Sequence, residues 1–362
     1  MKKLLTTSAI VVALSAPAIA QTTVTGNLDI AYKAFSNDLA TQKINSGRGF
    51  GKEAQINISN KGKLNIAGWD YAAGFSLEDD GNQTAATFDE NTYIDFINGN
   101  TLITIGNDHI QNSDQSTATF VGLIAEDVAN GSGTDIFLSD VGANPKESYG
   151  VGIVQTIPGF GKVSALYVPT NANGGSATVN SAEARVRTAG ADDSFTETDA
   201  ESAYEIGFVG DLGVKGLNVV AFMNKEKATA GYKAMSTSTT DDIKGQNLGL
   251  SYNMGAITVG YGYKKSERSF NAASAAAGKE VKQDEFGVAY AVSPTLTLAG
   301  NYTKAEGNST SSTKADAKMK SIAVGYNLGP VALTAQAATL DNYTGVSGVD
   351  ADVLYLRAST KF

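Results

Sequence analysis

The sequence predicts an all-β protein, a sixteen-stranded antiparallel transmembrane β-barrel. Three observations predict it. Apolar and polar residues alternate along most of the chain, the links between the alternating segments are long and short in turn, and no segment after residue 20 is apolar for long enough to be a membrane helix. The composition agrees, with 39 glycines, 15 tyrosines and only 6 prolines in 362 residues. Glycine and tyrosine at these levels favour turns and strands over helices.

The alternating segments are about ten residues long, the length that a tilted strand needs to cross a bilayer. The first of them places Val24, Leu28, Ile30 and Tyr32 on one face and Thr25, Asn27, Asp29 and Lys33 on the other. Sixteen such strands are predicted near 22–35, 51–61, 67–79, 90–98, 101–108, 147–157, 161–168, 202–211, 215–225, 245–254, 256–266, 281–292, 295–305, 318–328, 330–339 and 352–362. A soluble sandwich also buries one face of each strand, so alternation alone leaves both folds open.

The lengths of the links favour the barrel. Eight long polar links are predicted near 36–50, 80–89, 109–146, 169–201, 226–244, 267–280, 306–317 and 340–351, and seven tight turns lie between them. This order puts every long link on one side and both termini on the other, which is the plan of outer-membrane barrels. A sandwich has no reason to sort its links in this way, because both of its ends face water.

The N-terminus has the features of a secretory signal peptide. Lys2 and Lys3 precede an apolar run, and Ala18-Ile19-Ala20 forms a small-x-small cleavage site. We therefore expect a signal peptide at 1–20 and a single barrel domain at 21–362. Removing two lysines takes the formal charge from −9 to −9 − 2 = −11, and an acidic protein of this kind is a poor nucleic-acid binder. Cysteine is absent, so no disulfide contributes to the fold.

The last strand ends on an aromatic residue, with Leu354, Leu356 and Phe362 on one face. This strand resembles the C-terminal assembly signal of outer-membrane barrels, although Thr360 stands where an apolar residue is usual. With the signal peptide and the strand count, the whole mature chain resembles the general porins of Gram-negative bacteria. The resemblance implies a cell outer membrane location, extracellular long loops, short periplasmic turns and a third loop folded into the lumen. It also implies a homotrimer, with the barrel-assembly machinery, lipopolysaccharide and outer-membrane lipid as partners.

The third long link is the longest and is acidic. The stretch from the end of the preceding strand through most of this link carries six carboxylates and no basic residue before Lys146: Asp108, Asp114, Glu126, Asp127, Asp135 and Asp140. In a narrow pore mouth such a loop would concentrate cations and repel anions. The alternative is that these are ordinary solvated loop residues. Asp114, Glu126 and Asp127 could also hold Ca²⁺, but their spacing matches no EF-hand loop, so no metal or other cofactor is expected.

Inward positions on the strands are predicted to form the pore wall. By alternation these include Lys33, Glu53, Asp70, Glu78, Asp95 and Arg357. General porins usually oppose the third loop with arginines on early strands, and this sequence has none at those positions. We therefore expect a water-filled channel for passive diffusion of small hydrophilic solutes and ions, with a preference for cations.

Two other classes of function remain open from the sequence. A surface adhesin or structural barrel is compatible with the Ser-, Thr- and Ala-rich long links. A barrel enzyme would need a nucleophile beside a base, and His109 is the only histidine, with Ser113 and Ser116 nearby. No G-x-S-x-G frame surrounds them, so an enzyme is the least favoured class.

Overall fold

The computed structural model describes residues 21–37, 47–79, 87–106, 149–169, 202–226, 243–267, 280–307, 315–342 and 347–362. Sixteen strands occupy nearly all of these ranges: β1 Gln21–Asn37, β2 Gly47–Lys63, β3 Asp70–Asp79, β4 Thr87–Asn98, β5 Thr101–Gly106, β6 Gly150–Ile157, β7 Gly161–Val168, β8 Ala203–Gly210, β9 Leu217–Glu226, β10 Ile243–Met254, β11 Ile257–Glu267, β12 Glu280–Ala291, β13 Leu296–Gly307, β14 Ala317–Asn327, β15 Val331–Asp341 and β16 Ala351–Lys361. In this part of the chain no helix is long and apolar enough to cross a membrane.

Every strand pairs antiparallel with its sequence neighbours, and β1 also pairs with β16, so the sheet closes into a barrel. Closure leaves no strand edge with unpaired backbone groups, which is the condition for strands in a bilayer. The seam is completed beyond the last strand, because the Gly26 and Phe362 amides each donate to the other residue's carbonyl oxygen, at 2.8 and 2.9 Å. The predicted sixteen-stranded antiparallel barrel is confirmed.

The short turns all lie at the barrel end that carries both termini. Glycines with positive φ occur in several of them, for example Gly255 at 84° between β10 and β11. There the Asn253 side chain accepts a hydrogen bond from the Gly255 amide at 2.9 Å, a local bond typical of tight turns. The eight longer links join the strands at the other end, and each includes residues outside the described ranges.

Most strand ends agree with the sequence prediction to within a few residues. One difference falls between β2 and β3, where the predicted third strand began at 67 and β3 begins at Asp70. The Trp69 amide donates to the Ile66 carbonyl at 3.1 Å, and Gly68 has a φ of 80°. Because this hydrogen-bonded turn uses the backbone groups of 64–69, the ladder of β3 starts only after Trp69.

The polarity of the two faces is inverted relative to a soluble barrel. On the inner face, the charged residue Lys264 is only 1% exposed. On the outer face, the apolar residue Ile322 is 70% exposed. The same alternation holds along β8 and β10, whose apolar side chains point outward. An outward apolar band with an inward polar face is the arrangement required of a barrel surrounded by lipid.

The inner face is not polar everywhere. On β13 to β16 its extracellular half is a buried apolar cluster formed by Ala305, Ala317, Met319, Ala338, Leu340, Ala351, Val353 and Tyr355, with Ala31 and Phe35 of β1 packed against it. The sequence predicts polar residues at the inward positions, and for the extracellular half of β14 to β16 this prediction is wrong. There alanine, methionine and valine occupy the inward positions, whereas Lys318, Lys320 and Asp341 point outward.

Candidate functional site

The inner face of the barrel carries the six strand residues that were predicted to form the pore wall. Register and burial place all of them there: Lys33 on β1, Glu53 on β2, Asp70 and Glu78 on β3, Asp95 on β4 and Arg357 on β16. Glu53 is opposite Asp29, and Glu78 is opposite Gln55. These side chains therefore share one surface, which extends around the barrel from β16 to β4.

An ion pair crosses the seam on this surface. The Arg357 guanidinium donates to Oδ2 of Asp29, and Asp29 is only 7% exposed. Tyr355 and Lys33 are paired in register one step closer to the extracellular end. A buried carboxylate without a nearby cation is costly. Arg357 therefore stabilises the buried Asp29 carboxylate, in addition to adding a positive charge to the wall.

Two hydrogen bonds fix further polar side chains on the early strands. Thr104 donates to Oδ1 of Asp95 at 2.6 Å, and Ser76 donates to Oδ1 of Asn57 at 2.5 Å. Both bonds join neighbouring strands across the inner face. They hold Asp95 and Asn57 in fixed positions, so this part of the wall presents defined polar groups.

A second buried charge pair, on β11 and β12, was not singled out from the sequence. Lys264 Nζ lies 3.6 Å from Oε1 of Glu285, and both side chains are less than a tenth exposed. Gln283 also donates to Oε1 of Glu285, and the residue opposite Glu285 in register is Gly262. The sequence contains one indication of an inward lysine here. Lys264 and Lys265 are adjacent, so alternation places one of the two on the inner face.

Among the inner-wall side chains that the structure describes, acidic and basic groups are equal in number. Seven acidic side chains point inward: Asp29, Glu53, Asp70, Glu78, Asp95, Glu205 and Glu285. Seven basic side chains also point inward: Lys33, Lys61, Lys63, Lys162, Lys264, Arg357 and Lys361. The sequence assignment had overlooked Lys61 and Lys63 on β2, so the early strands carry more positive charge than expected.

The predicted acidic constriction lies outside the described residues. Asp108, Asp114, Glu126, Asp127, Asp135 and Asp140 all belong to 107–148, as do His109, Ser113 and Ser116. The Ca²⁺ possibility at Asp114, Glu126 and Asp127 falls on the same segment. Elsewhere, within the described ranges, no group of three or more acidic or histidine side chains could hold a metal ion.

The residues of the predicted assembly signal lie on the outer face of β16 and just after it. Leu354, Leu356 and Phe362 are exposed there. The Phe362 ring covers Gly26, so closely that a Cβ added at Gly26 would lie 2.5 Å from the ring. The terminal aromatic residue thus packs on the first strand as well as ending the last one.

Comparison with known proteins now adds to this geometry. The family model described as Gram-negative porin matches residues 6–345. The chain belongs to the Gram-negative porin family. Comparison with curated protein sequences gives no match.

Solved porin structures have the same fold. The anion-selective porin from Comamonas acidovorans aligns with a TM-score of 0.65 and 14% identity, covering 95% of this chain and 100% of its own. Engineered variants of the Rhodopseudomonas blastica porin align with a TM-score of 0.59 and 12% identity, covering 94% of this chain and 100% of theirs. At such identities the likeness shows the fold alone. The family match is what identifies the protein as an outer-membrane channel for passive diffusion.

Two substitutions of charged wall residues are expected to shift the ion selectivity of this porin in opposite directions. Arg357→Gln removes a positive charge from the inner face, so we expect the reversal potential in a salt gradient to move toward cation permeation. Glu53→Gln removes a negative charge from the same surface and should move it toward anion permeation. Reversal potentials of single channels in planar bilayers measure both shifts.

The control for these variants is Lys52→Gln. Lys52 is the neighbour of Glu53 on β2 but points outward, where it pairs with Asp79 at 2.6 Å. We expect no shift from this variant. Equal shifts from Lys52→Gln and Arg357→Gln would contradict the assignment of the two faces.

Proposed function

We propose that this porin is a water-filled channel through which small hydrophilic solutes and ions diffuse passively. The observation that carries the proposal is a closed barrel of sixteen strands whose inner face holds fourteen described charged side chains. A barrel of this size is too wide to be filled by its own wall side chains, so water can occupy the lumen. Passive diffusion requires no cofactor, energy source or catalytic group.

The proposed cation preference rests on the third link. The wall side chains that the structure describes do not favour either sign, since seven of them are acidic and seven are basic. The six carboxylates from Asp108 to Asp140 have no basic residue among them, so their charge would decide the sign of the selectivity if they line the pore. The porin from Comamonas acidovorans has the same fold and is described as anion-selective. The fold by itself therefore does not determine whether a channel prefers cations or anions.

Neutralising Glu126 and Asp127 together is expected to reduce the cation preference. The double variant Glu126→Gln and Asp127→Asn removes two of the six link carboxylates, so the reversal potential should move toward zero. The matched control is Glu306→Gln with Asp341→Asn, which removes two carboxylates from the outer face. Anion selectivity in the unmodified porin, or a shift of the same size in the control, would overturn this part of the proposal.

We further propose that the porin assembles as a homotrimer and reaches the membrane through the barrel-assembly machinery. The family resemblance and the position of Phe362 at the end of the closing strand support this. Chemical cross-linking of the folded porin in detergent should give a band at three times the monomer mass. A folded sample that remains monomeric at every protein concentration would contradict it.

A further inference from the structure

Lysine side chains line the lumen at the periplasmic end of the barrel, the end that carries the short turns. Register places four of them on the inner face, each within three residues of a strand end: Lys61 and Lys63 on β2, Lys162 on β7 and Lys361 on β16. All four are exposed, and they lie on three separate parts of the wall. We call them the periplasmic lysines.

Carboxylates compensate only part of the positive charge of the periplasmic lysines. Lys63 pairs with Asp70 at 2.9 Å. Asp95, the fourth residue from the end of β4, lies at the same end of the barrel and accepts a hydrogen bond from Thr104. Among the described residues, no carboxylate lies within ion-pair distance of the other three periplasmic lysines. Four lysines and two carboxylates give this end of the wall a net charge of 4 − 2 = +2.

The rest of the inner wall has the opposite balance. Farther than four residues from the periplasmic strand ends, the described inward charges are five carboxylates and three cations: Asp29, Glu53, Glu78, Glu205 and Glu285, with Lys33, Lys264 and Arg357. Their net charge is 3 − 5 = −2. The acidic third link also joins β5 to β6 at the extracellular end. The described wall is therefore positive toward the periplasm and negative toward the outside.

We propose that the periplasmic lysines make the ion selectivity of the channel differ between its two ends. Ions that enter from the periplasmic side first pass a positive wall, which concentrates small anions such as phosphate and carboxylates. Ions that enter from the extracellular side first pass a negative wall, which concentrates cations. The inference rests on the proposed function, because only an open, water-filled lumen has an ion selectivity.

Salt concentration separates the contributions of the two ends. Fixed charges act over a Debye length of about 30 Å at 0.01 M salt, but over only about 3 Å at 1 M. When one end faces about 0.01 M salt and the other about 1 M, the charges at the dilute end therefore dominate the selectivity. With about 1 M salt on both sides, the charges at both ends are screened, and the current should not depend on its direction.

The test records reversal potentials of single channels in planar bilayers, with this salt gradient applied in each direction in turn. The full-length mature porin carries Asn100→Cys, a substitution in an exposed short turn, with a biotin attached to the new thiol. The labelling is specific because the chain has no cysteine of its own. Streptavidin bound to the biotin before insertion keeps the periplasmic end on the side of addition. We expect the cation-to-anion permeability ratio to be about twofold lower when the periplasmic end faces the dilute solution.

Replacing Lys61, Lys162 and Lys361 by glutamine tests the lysines themselves. This triple variant keeps the pair between Lys63 and Asp70, and it changes the net charge of the periplasmic end from +2 to 2 − 3 = −1. The permeability ratio measured at this end should therefore rise to the value measured at the extracellular end. Replacing the same three lysines by arginine keeps their charge and should keep the difference between the two directions.

Outward lysines provide the matched control. The variant Lys225→Gln with Lys318→Gln and Lys320→Gln also removes three lysines, but from the outer face, and it should keep the difference. Equal ratios in the two directions, a difference that persists in the periplasmic glutamine variant, or one that disappears in the outward control would overturn this inference for a conducting channel. Folded porin that inserts without conductance would instead contradict the proposed function, and this inference with it.

Discussion

Replacing Lys264 by methionine is expected to lower the free energy of unfolding of the barrel by about 3 to 5 kcal/mol, the usual cost of removing one member of a buried ion pair. The loss arises because the Glu285 carboxylate, only 6% exposed, loses the ammonium group 3.6 Å away. Gln283 still donates one hydrogen bond to Glu285, which cannot replace a cation. Urea titration of the folded porin in detergent, followed by gel mobility, measures the change.

The neighbouring lysine is the matched control for Lys264→Met. Lys265 pairs with Glu267 at 2.7 Å, but it points outward and both side chains are partly exposed. Lys265→Met should therefore change the free energy of unfolding by no more than about 1 kcal/mol, as is usual for surface ion pairs. The double variant Lys264→Met with Glu285→Leu should recover much of the stability lost, since it leaves no buried charge unpaired. Equal effects of Lys264→Met and Lys265→Met would contradict the assignment of Lys264 to a buried pair.

Replacing Gly26 by valine is expected to impair closure of the barrel. A Cβ at this position would lie 2.5 Å from the Phe362 ring and 2.8 Å from the Gln55 backbone oxygen. The ring could move, but the carbonyl oxygen belongs to the β1–β2 ladder, so the strands themselves would have to separate. We expect a loss of about 1 to 3 kcal/mol from this overpacking, with a lower yield of folded protein on refolding into detergent.

Gly300 offers the control for the closure prediction. It also lies on the outer face of a strand, but a Cβ there would have no neighbour nearer than 3.8 Å. Gly300→Val should fold as well as the unmodified chain or slightly better, because valine has a higher strand propensity than glycine. If both valine variants refold with the same yield, the contact between Gly26 and Phe362 does not control closure.

The architecture could be predicted from the sequence because membrane-spanning strands have a simple sequence pattern. Alternating segments such as 245–254 have a period of two, and the lipid requires that their apolar side chains point outward. Turn residues such as Gly255 and Pro330 then mark the short links. Strand number, link order and face assignment follow from these local features, and they agree with the structure.

The inner face could be predicted only in part. Alternation placed Lys33, Glu53 and Arg357 correctly, because it fixes the direction of a side chain. It could not pair Lys264 with Glu285, since that contact depends on the register between β11 and β12. Nor could it predict that Met319 and Val353 would be buried on the inner face. In the sequence, an apolar residue at an inward position looks the same as a short break in the alternating pattern of the strand.

The neighbours of an outward side chain also depend on register. Ala34, Ala337 and Leu354 lie on three different strands and become neighbours only when β16 pairs with both β1 and β15. Their sequence contexts show nothing beyond outward apolar positions. Outward lysines that face one another, such as Lys265 and Lys282, are of the same kind, since the pair combines residues from two strands. Contacts that depend on the register between two strands therefore could not be predicted from the sequence.

Single-channel recording in planar bilayers tests the central claim most directly. If the barrel is a water-filled diffusion channel, the purified porin should insert in discrete steps with an ohmic current that rises in proportion to salt concentration. A salt gradient should then give a reversal potential of the sign expected for cation preference. Protein that is folded by gel mobility and inserts into the bilayer without producing conductance would contradict the account, because a lumen closed to ions could not support passive diffusion.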